Sequence, residues 1–175
     1  MLAGCIGCNS GVCLHPIHTE ENVTETIAIF DEIESQRENL FTNEDVDILA
    51  KMVWGEARGV ASDMEKAAVV WCVLNRVDAG YGSIKDVVTA PYQFSGYMES
   101  NPLEPKIIDI VLDVLDRWQV ERVMGDTIGR VLPSDYLWFT GDGTRNYFKN
   151  KYGAKESWNW DCYNPYEKED DVKWE

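Results

Sequence analysis

Hydrophobic residues recur every three or four positions over three long stretches of the chain, which is the spacing of one face of an α-helix. The first stretch begins at Thr42 or Asn43, and either side chain can cap a helix by accepting a hydrogen bond from a free backbone amide. It ends at Gly59. The positions that share one face of this predicted helix are Val46, Leu49, Met52, Val53 and Glu56.

A second predicted helix begins at Ser62, which is expected to form a capping box with Glu65, and it ends at Gly80. Between residues 67 and 77 it is apolar over most of its circumference. We therefore expect this helix to lie at the centre of the hydrophobic core.

A short third helix is expected to begin at Ser83 and to end before Pro91, and a long fourth helix to run from Pro105 to Gly125. Closer to the C-terminus the pattern changes to a short strand, a tight turn and a second extended piece. These three segments are residues 136–140, 141–144 and 146–148. The sequence thus predicts a mainly helical α+β domain over residues 41–165, with a small β or irregular patch near its end.

Residues 1–20 lack this periodicity, and residues 21–40 show it only weakly among many acidic residues. Residues 1–40 are expected to be a leader or arm, partly disordered or one amphipathic helix, and residues 166–175 a solvated acidic tail. Residues 2–5 match a bacterial lipoprotein cleavage box, but no apolar segment precedes it here. If the true start of the chain lies upstream, the mature protein would be lipid-anchored on Cys5. The leader also holds soft ligands sufficient for one zinc ion, although their spacing fits no common zinc finger, so reactive thiols without a metal are favoured. These residues are Cys5, Cys8, Cys13, His15 and His18.

The formal net charge of −15 is large for a chain of 175 residues. Such a surface repels nucleic acid, teichoic acid and anionic membranes, so nucleic acid is not an expected partner. A polyanionic cell-wall substrate would have to be bound locally, against this field. No stretch is long and apolar enough for a membrane span, and we expect a monomer.

The two histidines of the chain lie in the leader. Unless the leader folds back over the body, histidine chemistry is excluded there, which removes Ser-His-Asp and Cys-His hydrolases and histidine-ligated zinc peptidases and amidases. Cys72 lies among apolar residues and is expected to be a buried small hydrophobe. Carboxylates must therefore carry any acid–base catalysis in the body, without a cofactor.

Glu56 occupies an unusual position for a carboxylate, because it lies on the apolar face and at the C-terminal end of the first helix. Burial and the negative end of the helix dipole both favour the protonated form, which is the form that can protonate a glycosidic oxygen. The alternative is that Glu56 faces solvent or pairs with Arg58 or Arg76. Periodicity alone favours this alternative.

Two later stretches mix aromatic rings with amides and hydroxyls, a combination that suits sugar recognition. An ordinary loop over packed aromatic residues explains the same composition equally well. The candidates in the first stretch are Tyr92, Gln93, Phe94, Ser95 and Tyr97. The candidates in the second stretch are Tyr136, Asn146 and Tyr147.

Several short motifs together carry a family resemblance that none of them carries alone. They include Gly-Glu-Ala-Arg-Gly, Leu-Asn-Arg-Val and Gln-Phe-Ser, and they fall at residues 45–50, 54–59, 67–70, 73–77, 84–88 and 93–95. In this order they closely resemble the SleB-type cell-wall hydrolase family, which includes the catalytic domain of spore-cortex-lytic enzymes that act in germination. The resemblance covers about residues 43–150.

The resemblance implies a lysozyme-like fold and cleavage of peptidoglycan glycan strands between N-acetylmuramic acid and N-acetylglucosamine, at the cell wall or spore envelope of bacteria. It places the catalytic glutamate at Glu56 and a groove lining at Gln93, Phe94 and Ser95. Many members also carry a Gly-Asn-His-x-Phe-Tyr motif. Residues 144–148 of this chain lack its histidine, so that residue's role does not carry over.

Glycosidases usually pair two carboxylates, but no partner of Glu56 is evident from spacing. Asp63 lies in a first helical turn, and Glu65 is assigned to the predicted capping box. Some family members are similar to lytic transglycosylases, which need no second acid and leave 1,6-anhydromuramic ends. We therefore expect transglycosylation. The alternatives are a muramidase-type hydrolase and a catalytically silent peptidoglycan-binding protein on the same fold.

Overall fold

The computed structural model describes residues 40–125, 129–160, 162 and 164–166. Within them the chain forms four α-helices and one two-stranded sheet, so the predicted mainly helical class is confirmed for this part. None of these helices is both long and apolar enough to cross a bilayer. The elements are α1 (Asn43–Ala57), α2 (Asp63–Asp78), α3 (Ile84–Thr89), α4 (Pro105–Met124), β1 (Trp138–Gly141) and β2 (Asn146–Lys149).

The predictions made for the two ends of the chain stay predictions. The cysteines and histidines of the leader, and the tail beyond Tyr166, lie outside the described residues.

Local side-chain chemistry sets the helix ends. Thr42 caps α1 and forms a reciprocal capping box with Asp45, and Ser83 does the same for α3 with Asp86. Gly125 closes α4 in the left-handed conformation, with φ of 78°, which glycine adopts without steric cost. These three predicted boundaries are confirmed.

α2 lies at the centre of the core, as predicted. Its residues 67–74 are all fully buried, with 0% of their surface exposed, because α1, α3 and α4 pack around it. Burial raises the pKa of the Cys72 thiol to about 12. Cys72 is therefore a neutral packing residue, as expected.

The sheet is an antiparallel hairpin that closes the helical body on one side. Trp138 is opposite Lys149, and Gly141 is opposite Asn146. Side chains alternate along β2, so Asn146 and Phe148 face inward while Tyr147 faces outward.

The capping box predicted between Ser62 and Glu65 is only half correct. The Ser62 hydroxyl accepts a hydrogen bond from the Glu65 amide at 3.2 Å and caps α2. The Glu65 carboxylate does not return to Ser62. It accepts instead from the backbone N–H of Asn146 in β2, at 2.8 Å. Because Glu65 is only 8% exposed, this buried donor and acceptor satisfy each other and attach the hairpin to α2.

Candidate active site

Glu56 lies in the last turn of α1, and its half-buried carboxylate is held by one hydrogen bond. The backbone N–H of Gly96 donates to Oε1 at 2.6 Å. The other oxygen, Oε2, has no hydrogen-bond partner among the described residues. One carboxylate oxygen is thus fixed by the protein, and the other is open to a ligand.

The two arginines that might have paired with Glu56 make other contacts. The Arg58 guanidinium donates to the carbonyl of Gly55 at 3.1 Å and stacks 4.5 Å from the centre of the Trp54 ring. Arg76 binds the Gln93 side chain and a backbone carbonyl. The pairing alternative for Glu56 is therefore wrong.

A close backbone contact positions the loop that holds Glu56. A Cβ atom on Gly55 would lie 1.9 Å from the carbonyl oxygen of Gly96, so only glycine fits there. The Asn101 side chain is 5% exposed, and it donates to the carbonyls of Lys51 at 3.0 Å and of Gly96 at 2.8 Å. The Asn101 side chain thereby joins the loop to α1 beside the Gly96 amide that binds Glu56.

The turn of the hairpin approaches the same end of α1. A Cβ atom on Gly59 would lie 2.5 Å from the carbonyl oxygen of Gly143. The two glycines of the Gly-Glu-Ala-Arg-Gly motif therefore allow two other backbone segments to contact the helix end that carries Glu56.

Asp142 organises this turn. Its Oδ1 accepts hydrogen bonds from the Thr144 and Arg145 amides, and its Oδ2 accepts one from the Tyr147 hydroxyl at 2.9 Å. The Thr144 backbone hydrogen bond, followed by the others, holds the pKa of Asp142 well below its ordinary value. Asp142 is thus an ionised, exposed carboxylate in the hairpin turn.

Arg76 connects the loop to the segment that leads into β1. The residue is only 6% exposed. Its Nε donates to the carbonyl of Leu137 at 2.6 Å, and its Nη1 donates to Oε1 of Gln93 at 2.8 Å. Its guanidinium also lies 5.0 Å from the centre of the Phe94 ring. The arginine of the Leu-Asn-Arg-Val motif therefore fixes the orientation of the Gln93 amide.

The predicted residues of the loop divide into exposed and interior positions. Tyr92, Gln93 and Ser95 are exposed, and Tyr97 is half-buried. Tyr92 is fully exposed and has φ of 65°, an unusual conformation for a residue with a bulky side chain. Phe94 is only 5% exposed and packs 6.0 Å from Phe139, so it supports the loop from below.

The predicted residues of the second stretch do not gather around Glu56 as a group. Tyr147 points outward toward Asp142. Asn146 is 4% exposed, and its Nδ2 has no hydrogen-bond partner among the described residues. Tyr136 is half-buried, edge-on to Trp158 at 5.4 Å, and it lines a cavity of about 840 Å³ that Gln93 does not reach.

Trp138 is a candidate ligand-binding residue that the sequence analysis missed. It is half-buried between two cavities of about 230 and 250 Å³. The first cavity is also lined by Gln93 and by Tyr81, which is 57% exposed, and the second by Tyr152, which is 87% exposed. Three aromatic rings and an amide thus border adjoining hollows, a surface that suits sugar rings.

Asn75 was also missed, although a polar residue in the most apolar helix was a usable signal. It is 1% exposed, and its Nδ2 donates to the carbonyl of Tyr136 at 3.0 Å. Its Oδ1 accepts from Arg130, which also makes a bidentate ion pair with Glu121 at 2.9 and 3.0 Å. This buried network holds the segment that precedes β1.

No cluster of His, Cys, Asp and Glu side chains within the described ranges is arranged to bind a metal ion. Comparison with family models, with curated proteins and with solved structures found no match to the chain. The resemblance to SleB-type hydrolases therefore rests on the motifs themselves.

Proposed function

We propose that the chain cleaves peptidoglycan glycan strands between N-acetylmuramic acid and N-acetylglucosamine, as a lytic transglycosylase with Glu56 as its acid. The observation that carries the proposal is the Glu56 carboxylate, with Oε1 held by Gly96 and Oε2 open, where a loop and a hairpin meet one helix end. The mainly helical body with one small hairpin beside this acid supports a lysozyme-like arrangement.

In the proposed reaction Glu56 acts first as an acid and then as a base. Its proton passes to the glycosidic oxygen as the bond between that oxygen and the muramic anomeric carbon breaks. The 6-hydroxyl of the same muramic residue then attacks the anomeric carbon. Its proton passes to the Glu56 carboxylate, which restores the acid and leaves a 1,6-anhydro end.

The acids that follow Glu56 most closely in the chain are both occupied, which supports a mechanism with one carboxylate. Asp63 contacts Lys66 at 3.2 Å and Lys106 at 2.8 Å. Glu65 is buried and binds the Asn146 amide. Neither carboxylate is available to activate a water molecule or to attack a sugar.

One observation favours hydrolysis as the second candidate reaction. Asp142 is ionised and exposed in the turn that contacts Gly59, three residues after Glu56. In a hydrolase it would serve as the second carboxylate. Three backbone and side-chain donors already occupy Oδ1, however, and the Tyr147 hydroxyl binds Oδ2, which supports a role in the turn. Product masses separate the reactions, because hydrolysis yields reducing muramic ends.

Digestion of purified peptidoglycan by the wild type and by Glu56→Gln tests the proposal. We expect the wild type to release soluble fragments with 1,6-anhydro ends, and the variant to be slower by a factor of at least about 10². Loss of the half-buried acid should leave the free energy of unfolding unchanged or slightly higher.

Glu104→Gln is the matched control, because Glu104 is exposed and makes no capping hydrogen bond at α4. It should retain full activity. Binding to peptidoglycan without release of fragments, and with no effect of Glu56→Gln, would instead show a silent binding protein.

A further inference from the structure

The hairpin and the loop after it carry a local positive charge in a strongly acidic chain. Residues 145–155 contain four of the 16 basic residues and none of the 31 acidic ones. The basic residues are Arg145, Lys149, Lys151 and Lys155. A segment of this charge in a protein of net charge −15 attracts anions that the rest of the surface repels.

The lysines of this segment lack the ion pairs that three of the four described lysines of the helical body form; the fourth, Lys51, also forms none among the described residues. Lys149, Lys151 and Lys155 form no ion pair within the part of the chain that the structure describes. Lysines of the helical body that contact a carboxylate at 2.7 to 3.2 Å are Lys66, Lys85 and Lys106. Among the described residues no carboxylate pairs with the three lysines of the hairpin segment, whereas Arg145 of the same segment lies 3.9 Å from Glu65.

Two of these lysines line the cavity of about 840 Å³, which is larger than the two beside Trp138. A cavity of this size holds a short peptide or another small molecule rather than a single ion. Its other walls are aromatic and amide side chains, together with Ala154, Ser157 and the carboxylate of Glu156, so the two lysines leave the lining one positive charge in excess. The basic lining residues are Lys151 and Lys155, the aromatic ones are Tyr136 and Trp158, and those with amide side chains are Asn150 and Asn159.

The Trp158 indole in the cavity wall carries a polar group without a partner in the described part of the chain. Its Nε1 is buried and has no hydrogen-bond partner among the described residues. A buried donor without a partner costs about 1–3 kcal/mol of stability, and a ligand in the cavity reaches this atom only if the wall shifts to expose it.

We propose that this lysine-lined cavity binds the peptide stem of peptidoglycan through the stem's carboxylates. This inference rests on the proposed function and names the part of the substrate that the chain recognises outside the scissile bond. Lysine ammonium groups pair with the carboxylates of the stem as point charges.

The hairpin connects this cavity to the candidate active site. Its turn contacts Gly59 at the end of α1, and the residues that follow β2 line the cavity. Strands of four residues at about 3.4 Å per residue put the two ends of the hairpin roughly 10 Å apart. The stem is attached to the muramic residue of the cleaved bond or to a neighbouring one, so one strand can occupy both places.

A binding measurement that needs no turnover tests the inference directly. The soluble tetrapeptide alanyl-γ-glutamyl-lysyl-alanine is titrated into the full chain carrying Glu56→Gln, by calorimetry. We expect binding that is at least about tenfold weaker when Lys151→Ala and Lys155→Ala are added. Amidation of the peptide carboxylates should weaken binding to a similar extent.

The matched control is the pair Lys85→Ala and Lys106→Ala, which removes the same charge elsewhere. Both lysines are exposed, and exposed ion pairs contribute little to stability. This control should bind the tetrapeptide as the parent does. Equal affinities of the parent and the Lys151/Lys155 variant, or no binding of the tetrapeptide at all, would overturn the inference.

Digestion of two substrates separates this inference from the proposed function. One is peptidoglycan free of teichoic acid, which removes phosphate as an alternative anion, and the other is the same glycan after an amidase has removed its stems. The lysine variant should be slower than the wild type on the first substrate only, and equal slowing on both would count against the inference. A chain that binds the tetrapeptide but cleaves neither substrate would contradict the proposed function alone. A chain that cleaves both and ignores the tetrapeptide would contradict the stem site alone.

Discussion

At the scale of single residues, the candidate site depends on glycines, because their lack of a side chain leaves room for other backbone segments. Gly55 and Gly59 flank the Glu-Ala-Arg sequence, and another backbone segment occupies the space beside each of them. Gly96 approaches the first and Gly143 the second. These contacts bring the amide that binds Glu56 within 2.6 Å of its carboxylate.

Gly55→Ala tests this arrangement, because the change in stability expected here is opposite in sign to the usual effect of replacing a helical glycine by alanine. Alanine in place of glycine inside a helix normally stabilises a protein by up to about 1 kcal/mol. Here we expect a loss of about 1–3 kcal/mol, since the added Cβ meets a backbone oxygen that must move. The rate of peptidoglycan cleavage should fall with it. Denaturant unfolding measures the first effect, and a gain in stability would contradict the prediction.

At the scale of elements, the hairpin depends on one ionised side chain in its turn. Asp142 receives hydrogen bonds from the amides of Thr144 and Arg145 and from the Tyr147 hydroxyl. These bonds lower its pKa in the folded protein relative to its ordinary value of 3.8. Its contribution to stability is therefore present in full above that ordinary value, and is lost as the pH falls through the lowered folded pKa.

Asp142→Ala should show this dependence. The difference in free energy of unfolding between wild type and variant should be constant near neutral pH and should shrink below about pH 4. Asp116→Ala is the control, because Asp116 is exposed on α4 and forms no ion pair among the described residues. Urea unfolding at a series of pH values measures both. A difference for Asp142→Ala that does not change down to pH 2 would contradict the prediction.

The elements that the sequence predicts well are those that neighbouring residues determine. Thr42, Ser83 and Gly125 mark helix ends because their effects act within one turn. The partner of Glu65 was missed because it lies 81 residues away in β2. Periodicity placed Glu56 on the apolar face of α1 and the family resemblance selected it as the acid, but neither carries information on which amide would hold the carboxylate.

The loop residues show the same limit. The sequence predicts that aromatic and amide side chains meet in one loop, but not that Phe94 turns inward while Tyr92 stays exposed. That division depends on Phe139 and Arg76, which reach the loop from β1 and α2.

At the scale of the whole molecule, net charge opposes the proposed substrate. The charge of −15 creates a field that repels an anionic wall at long range, while the lysines near the hairpin act at contact. The Debye length is about 30 Å at 0.01 M salt and about 8 Å at 0.15 M. Added salt therefore screens the general repulsion before it weakens a close ion pair.

We expect the initial rate of cleavage at low substrate concentration to rise between these two salt concentrations. The reason is that encounter with the wall becomes faster once the long-range repulsion is screened. Release of soluble fragments from teichoic-free peptidoglycan measures the rate. A steady decline with salt would show that local attraction, not overall repulsion, controls the encounter.

The hydrogen bonds around Glu56 also determine when the site can first exist. Gly96 reaches back 40 residues to Glu56, Asn101 reaches back 50 to Lys51, and Asn146 reaches back 81 to Glu65. Such distant pairings form after the segments between them have collapsed, and chains emerge from the ribosome from the N-terminus onward. The acid is thus synthesised long before the groups that orient it. A nascent chain that ends before residue 96 would therefore carry Glu56 without the amide that binds its carboxylate.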